Sequence, residues 1–171
     1  MDLMVETVIA IRSAREKDAL GVAHVHDESW REAYRGIIPG PALERMIERR
    51  GPVWWARAIR SGSRLLVLEF HESIVGYASV GRSRVPSLGY RGEIFELYLT
   101  PEHQGVGHGR RLFDSARRDL ASFGLRDCVV WALADNERAI TFYRRVGGKM
   151  VRKAIETFDG EARTRVAFGF D

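Results

Sequence analysis

A strand, a run of glycines and a long amphipathic helix follow one another between Gly92 and Phe123, and this succession constrains the chain more than any other feature. Gly92–Leu99 alternates in polarity as a half-buried strand does, and Pro101 stops it. Leu112, Phe113, Ala116, Leu120 and Phe123 then fall on one stripe of a helix predicted over Gly107–Phe123, with Gly124 just past its end. Between the two lies Gln104-Gly105-Val106-Gly107-His108-Gly109-Arg110-Arg111. The first N–H groups of a helix have no intrahelical partner and carry a partial positive charge, so a glycine turn that opens a helix can receive phosphate. Glycine at 105, 107 and 109 removes side chains that would hold a ligand off the backbone, and Arg110 and Arg111 add positive charge. The spacing is not that of a P-loop, because no Lys-Ser/Thr follows the glycines. Nor is it the Gly-x-Gly-x-x-Gly that opens a Rossmann βαβ unit. A tight turn without a ligand is the plain alternative.

The remaining pattern supplies the frame. Thr7–Ser13 reads as a strand and Ala14–Tyr34 as a helix whose stripe is Leu20, Ala23, Asp27, Trp30 and Tyr34. Gly36, Pro39 and Pro41 end it; Ala42–Arg49 and Pro52–Arg60 read as short helices. Arg64–Phe70 and Ile74–Gly81 form a predicted hairpin, and Arg82–Tyr90 a loop. Asp127–Ala132 reads as a strand and Glu137–Val146 as a helix closed by Gly147-Gly148. Lys149–Phe158 and Glu161–Phe170 are strands joined by the hairpin turn Asp159-Gly160. The order predicts an α/β (α+β) fold: a mixed, mostly antiparallel sheet of about seven strands with helices on both faces. The 171 residues fit one domain over 1–171.

Composition excludes more than it selects. A net charge of +4 is spread along the chain without a basic run, which argues against nucleic acid as a partner. No apolar segment reaches membrane-spanning length, and the first residues lack a secretory pattern, so no membrane association and a cytoplasmic location are expected. Cys128 is the one cysteine and reads as a buried thiol; the five histidines show no metal-binding spacing, so no metal is expected.

The glycine segment resembles the signature of the Gcn5-related N-acetyltransferase (GNAT) superfamily, Gln/Arg-x-x-Gly-x-Gly/Ala, at Gln104–Gly109, behind the matching strand Leu97-Tyr98-Leu99-Thr100-Pro101-Glu102. A second block, Trp131-Ala132-Leu133-Ala134-Asp135-Asn136 leading to Phe142-Tyr143, is similar to the family's strand, Asn and Phe-Tyr helix. Ser29–Pro39 resembles a bacterial subgroup. The one departure is Gly147-Gly148 where the family has Gly-Phe.

The resemblance implies an acyltransferase that moves an acetyl group from acetyl-CoA (coenzyme A) to a primary amine of a small molecule, by direct transfer in a ternary complex. A protein or peptide acetyltransferase and a non-catalytic acyl-CoA-binding module remain alternatives, and the family also allows a homodimer. By the same resemblance Leu97, Tyr98 and Leu99 face the pantetheine arm, with the Leu99 N–H as oxyanion donor. Gln104, Gly105, Val106, Gly107, His108, Gly109 and Arg110 take the pyrophosphate. Asn136 is either a helix N-cap or a cofactor contact. Tyr143 is the expected general acid, since a phenol matches a leaving thiol in acidity, and it also contacts the cofactor; core packing is its alternative. For the base, Glu93 and Glu96 are an odd number apart on one strand, which predicts opposite faces. Glu96, expected on the face of Ile94 and Tyr98, is preferred as the nearer to the thioester. Trp30 and Tyr34, one helical turn apart, are candidates for a substrate wall or for core packing.

Overall fold

The computed structural model describes residues 9–171. Its strands are β1 (Ile9–Ser13), β2 (Arg64–Phe70), β3 (Ser73–Arg82), β4 (Gly92–Leu99), β5 (Cys128–Leu133), β6 (Lys149–Phe158) and β7 (Glu161–Phe170). Its helices are α1 (Ala19–Tyr34), α2 (Gly40–Glu48), α3 (Pro52–Arg60), α4 (His108–Ala121) and α5 (Glu137–Arg145). The strands form one sheet in the order β1-β2-β3-β4-β5-β7-β6. Every neighbouring pair is antiparallel except β4 and β5, which run parallel because α4 carries the chain from one to the other. The mixed sheet predicted from the sequence is therefore present. Thr7 and Val8, assigned to the first strand, lie outside the described residues.

Alternation along the strands gives the sheet two apolar faces. Leu66, Leu68, Val75, Ala78, Val80 and Ile94 pack against Leu112, Phe113, Ala116 and Leu120 of α4 and Tyr143 of α5. Leu65, Val67 and Tyr77 pack on the other side against Val22 and Val25 of α1 and Trp55 of α3. A third cluster joins the end of α1 to α2 through Tyr34, Ile38, Leu43 and Ile47 and reaches Leu133 and Phe158. The hairpin turn holds positive φ at both Asp159 and Gly160, the backbone of a type I′ turn.

Three expectations change. The first helix starts at Ala19, because the Asp18 carboxylate accepts hydrogen bonds from the Arg12 guanidinium and the Arg15 N–H and holds residues 16–18 in a tighter turn. Its buried residues are Ala19, Val22, Val25, His26, Ser29, Trp30 and Tyr34, so the expected stripe holds at Trp30 and Tyr34, with Ala23 partly buried, but not at Leu20, which is exposed, or at Asp27, where His26 is the buried neighbour. At the end of α4 the helix stops at Ala121; Phe123 is half exposed and carries the Arg64 guanidinium on its ring.

Candidate active site

β4 and β5 pair over three residues only, Gly92 with Cys128, Glu93 with Val129 and Ile94 with Val130. Beyond Ile94 the strands separate. Thr100 donates its N–H to the Val75 carbonyl of β3 at 2.9 Å, so alternation turns the N–H groups of Leu97 and Leu99 the other way, into the gap. The Leu99 carbonyl on that side accepts from the Gln104 side chain at 3.0 Å. The gap is the mouth of a cleft of about 970 Å³. Of the residues expected to contact a cofactor, Leu97, Tyr98, Leu99, Gln104, Gly105, Gly107, Gly109, Arg110, Asn136 and Tyr143 line it. Val106, which is exposed, and His108, which begins α4 beside Phe70, are not among its lining residues.

The glycines do different work. Gly107 has φ +90° and precedes α4 with no side chain capping the helix, which leaves the first-turn amides facing the cleft. Gly105 is also left-handed, and in both places a Cβ would meet open space, so glycine is needed for backbone shape rather than room. Gly109 is the reverse. It is helical, and a Cβ there would come 3.3 Å from the Phe142 ring and 3.6 Å from Leu99. Gln104 completes the turn; its Oε1 is buried and has no hydrogen-bond partner.

At the other wall, Asn136 caps α5, its side chain accepting from the Ala139 N–H at 3.3 Å. The cap is thus present, and Asn136 lines the cleft as well. Tyr143 is packed among Phe113, Phe168 and Phe170 while bordering the cleft. Burial pushes its phenol well up, with Tyr34 and Cys128 adding smaller effects, so the hydroxyl keeps its proton. The Cys128 thiol is buried and likewise pushed up to about 11. Beyond Gly148, where the family pattern has Phe, the space is filled by Phe168 and Phe170.

The carboxylates required the structure. Ser79 stands opposite Glu96, but Val80 stands opposite Ile94, so Phe95 is an extra residue bulged out of β4. Glu93 pairs with Gly81, two residues from Ser79, and cross-strand partners share a face. The bulge therefore puts Glu93 and Glu96 on the same face, against the expectation of opposite ones, and removes Ile94 to the α4 side. The two acids still differ. Glu93 is wholly buried and accepts from the Arg84 N–H and guanidinium at 3.0, 3.1 and 2.6 Å. Glu96 lines the cleft and is paired with Arg50.

Arg50, between α2 and α3, was not anticipated. Its guanidinium lies 4.7 Å from the Trp54 ring centre and 5.8 Å from Trp30, and no local motif marks it. Tyr34 lines the cleft, its hydroxyl bonded to that of Tyr98, whereas Trp30 is buried between His26, Tyr34 and Tyr98 and is not a lining residue. Burial raises both tyrosines, Tyr34 to about 12. No helix among the described residues is long and apolar enough to cross a membrane.

The chain is similar to YuaI, an uncharacterized N-acetyltransferase of Bacillus subtilis (strain 168), at 32% identity over 163 residues, 95% of this chain and 93% of the relative. It is similar to a spermidine N(1)-acetyltransferase of Thermoplasma acidophilum at 25% identity, over 89% of this chain and 92% of that one. Its fold resembles the crystal structure of the PaiA N-acetyltransferase of Thermoplasma acidophilum in complex with coenzyme A, with a TM-score of 0.73, 21% identity, and coverage of 95% of this chain and 99% of that one. A sequence model of the acetyltransferase (GNAT) family matches residues 23–148, and with a splayed β4–β5 pair beside a glycine turn this chain belongs to that family of N-acetyltransferases.

Proposed function

We propose that the protein transfers an acetyl group from acetyl-CoA to a primary amine of a small molecule, directly, with both substrates bound at once. The observation that carries this reading is the divergence of β4 and β5 after Ile94, which leads from the free amides of α4 to Glu96 in one continuous cleft. The residues fit a thioester with a diphosphate at its far end. Partnerless helix amides suit the diphosphate, and the unpaired edge of β4 suits an amide-bearing arm laid beside it as a further strand. The buried, unpartnered Gln104 Oε1 is an acceptor in want of a donor.

Each step then has a group in place. The amides of residues 105–110 and the Arg110 side chain hold the diphosphate, while the backbone of Leu97 and Leu99 aligns the arm. The Leu99 N–H donates to the thioester oxygen, where negative charge grows as the amine attacks. Glu96 takes the proton from the amine, directly or through one water, and Arg50 fixes the carboxylate. Tyr143, kept protonated by burial, donates its proton to the departing sulfur. Tyr34 walls the acceptor side.

Release of free thiol from acetyl-CoA, followed across a panel of small amines and of peptides with free N-termini, tests the reading. Turnover of a small amine supports it. Turnover of peptides alone would reassign the acceptor, and coenzyme A binding without turnover of any amine would leave a binding module.

A further inference from the structure

Glu96 is the cleft end of a polar chain that runs back into the protein. Ser79 stands opposite Glu96 and Tyr77 opposite Tyr98, so Tyr77 and Glu96 are diagonal neighbours on one face of the sheet, within reach of side chains of this length. The Tyr77 hydroxyl lies 3.1 Å from Nδ1 of His26 on α1. Tyr77 and His26 are both fully buried and neither lines the cleft, whereas Glu96 does. They therefore approach the carboxylate from the protein side. Arg50 pairs with the same carboxylate.

Three such groups need compatible protons. Burial, together with Glu96 as a charge and as a hydrogen-bond acceptor, holds the Tyr77 phenol well above its usual range, so the hydroxyl keeps its proton. Burial holds the His26 imidazole down at about 4, so at neutral pH the ring is uncharged, with one nitrogen a donor and the other an acceptor. The backbone of Met46 on α2 favours a proton on the ring. Nε2, which forms no aligned hydrogen bond, is the nitrogen left for that proton, because Nδ1 meets Tyr77. The Tyr77 hydroxyl then has one hydrogen and two acceptors, Glu96 and Nδ1 of His26.

We propose that Tyr77 and His26 are positioning residues for Glu96, with the Tyr77 hydroxyl turning between the carboxylate and Nδ1 of His26. While Glu96 is ionised, Tyr77 donates to it. When Glu96 has taken the proton of the amine, its own O–H donates to the Tyr77 oxygen, and Tyr77 turns its hydrogen to His26. No bond to the tyrosine hydrogen breaks; the hydroxyl rotates, and the proton on Glu96 leaves through the cleft. The base thus keeps a partner in both of its states, where a fixed donor would serve only one. This rests on the reading of Glu96 as the base and adds the two residues behind it.

The test follows turnover of the fastest small amine of the panel above, beside coenzyme A affinity by calorimetry. Tyr77→Phe and His26→Leu each lower kcat by about tenfold, less than loss of the base itself. The double variant loses no more than the worse of the two, because the residues act as a unit. His26→Asn, whose amide oxygen takes the place of Nδ1 as acceptor, recovers most of the loss. Coenzyme A affinity is unchanged in all four variants, which also shows that they fold. Full turnover in Tyr77→Phe, losses that multiply in the double variant, or losses that follow coenzyme A affinity overturn the proposal. Nitrogen NMR of the wild-type histidine side chains reads the ring directly: a bare Nδ1 on His26 is expected, and a proton on Nδ1 overturns the proposal. If no amine turns over, or a variant does not fold, that spectrum decides. Unchanged turnover in Glu96→Gln refutes the base assignment and the proposal with it, whereas a loss in Glu96→Gln beside full turnover in Tyr77→Phe overturns the proposal alone.

Discussion

The hydroxyl of Tyr34 on α1 meets the hydroxyl of Tyr98 on β4 at 2.5 Å, tying the helical wall of the cleft to its floor. Both rings are buried apart from the cleft side, and each hydroxyl is the other's partner. Removing one leaves the other without it, which costs about 1–3 kcal/mol, whereas removing both costs less than the sum. Tyr34→Phe should therefore lower the urea midpoint, and Tyr34→Phe with Tyr98→Phe should recover part of the loss. Strict additivity of the two single variants in urea denaturation would mean that the hydroxyls are not coupled.

Tyr143 is packed on three phenylalanines yet borders the cleft, so packing and chemistry separate cleanly in a variant that keeps the ring. Tyr143→Phe should reduce kcat by roughly a hundredfold or more, as loss of a general acid does, and leave the affinity for coenzyme A nearly intact. Steady-state kinetics beside calorimetry checks both halves. Full turnover in Tyr143→Phe would remove the phenol from the mechanism.

His26 is wholly buried, its Nδ1 3.1 Å from the Tyr77 hydroxyl and its ring between Trp30 and Trp55. Burial, with Arg50 nearby, holds the imidazole down at about 4. In the unfolded chain it protonates near 6.5, so from there down to about pH 4 the unfolded state binds the extra proton and stability falls as pH falls. The effect is on the order of 3 kcal/mol, complete below about pH 4 and absent above neutrality. Asp18, held below its usual range by Arg12, adds acid sensitivity of its own at lower pH. The difference between wild type and His26→Leu isolates the histidine. Its Tm deficit should shrink steadily from pH 7 to pH 4, and a constant deficit would contradict the assignment.

What the sequence disclosed and what it withheld divide along a physical line. Local pattern reveals local structure, so the stripe Leu112–Phe113–Ala116–Leu120, the Asp159-Gly160 turn and the glycines ahead of α4 were legible because each depends on neighbours a few residues away. The family resemblance reached further and brought Leu97–Leu99, Asn136 and Tyr143 to one cleft. Nothing in Glu93–Glu96 announces a bulge, because an extra residue is defined by the partner strand, so the parity argument about the two acids failed. Arg50 and Glu96 are far apart in sequence and meet only when the α2–α3 connection folds over β4. On α1 the expected stripe holds at Trp30 and Tyr34 but fails at its start, because the small residues Ala19 and Val22 face the core there and Leu20 does not.

Titration calorimetry with coenzyme A tests most directly the proposal that the backbone turn ahead of α4 holds a diphosphate. The wild-type protein should bind one coenzyme A per chain. Gly107→Ala, which forces a Cβ into the left-handed region at a cost of about 1–2 kcal/mol, should bind more weakly by about tenfold while remaining folded by circular dichroism. Heat of binding absent from the folded wild type, or unchanged affinity in Gly107→Ala, would contradict it.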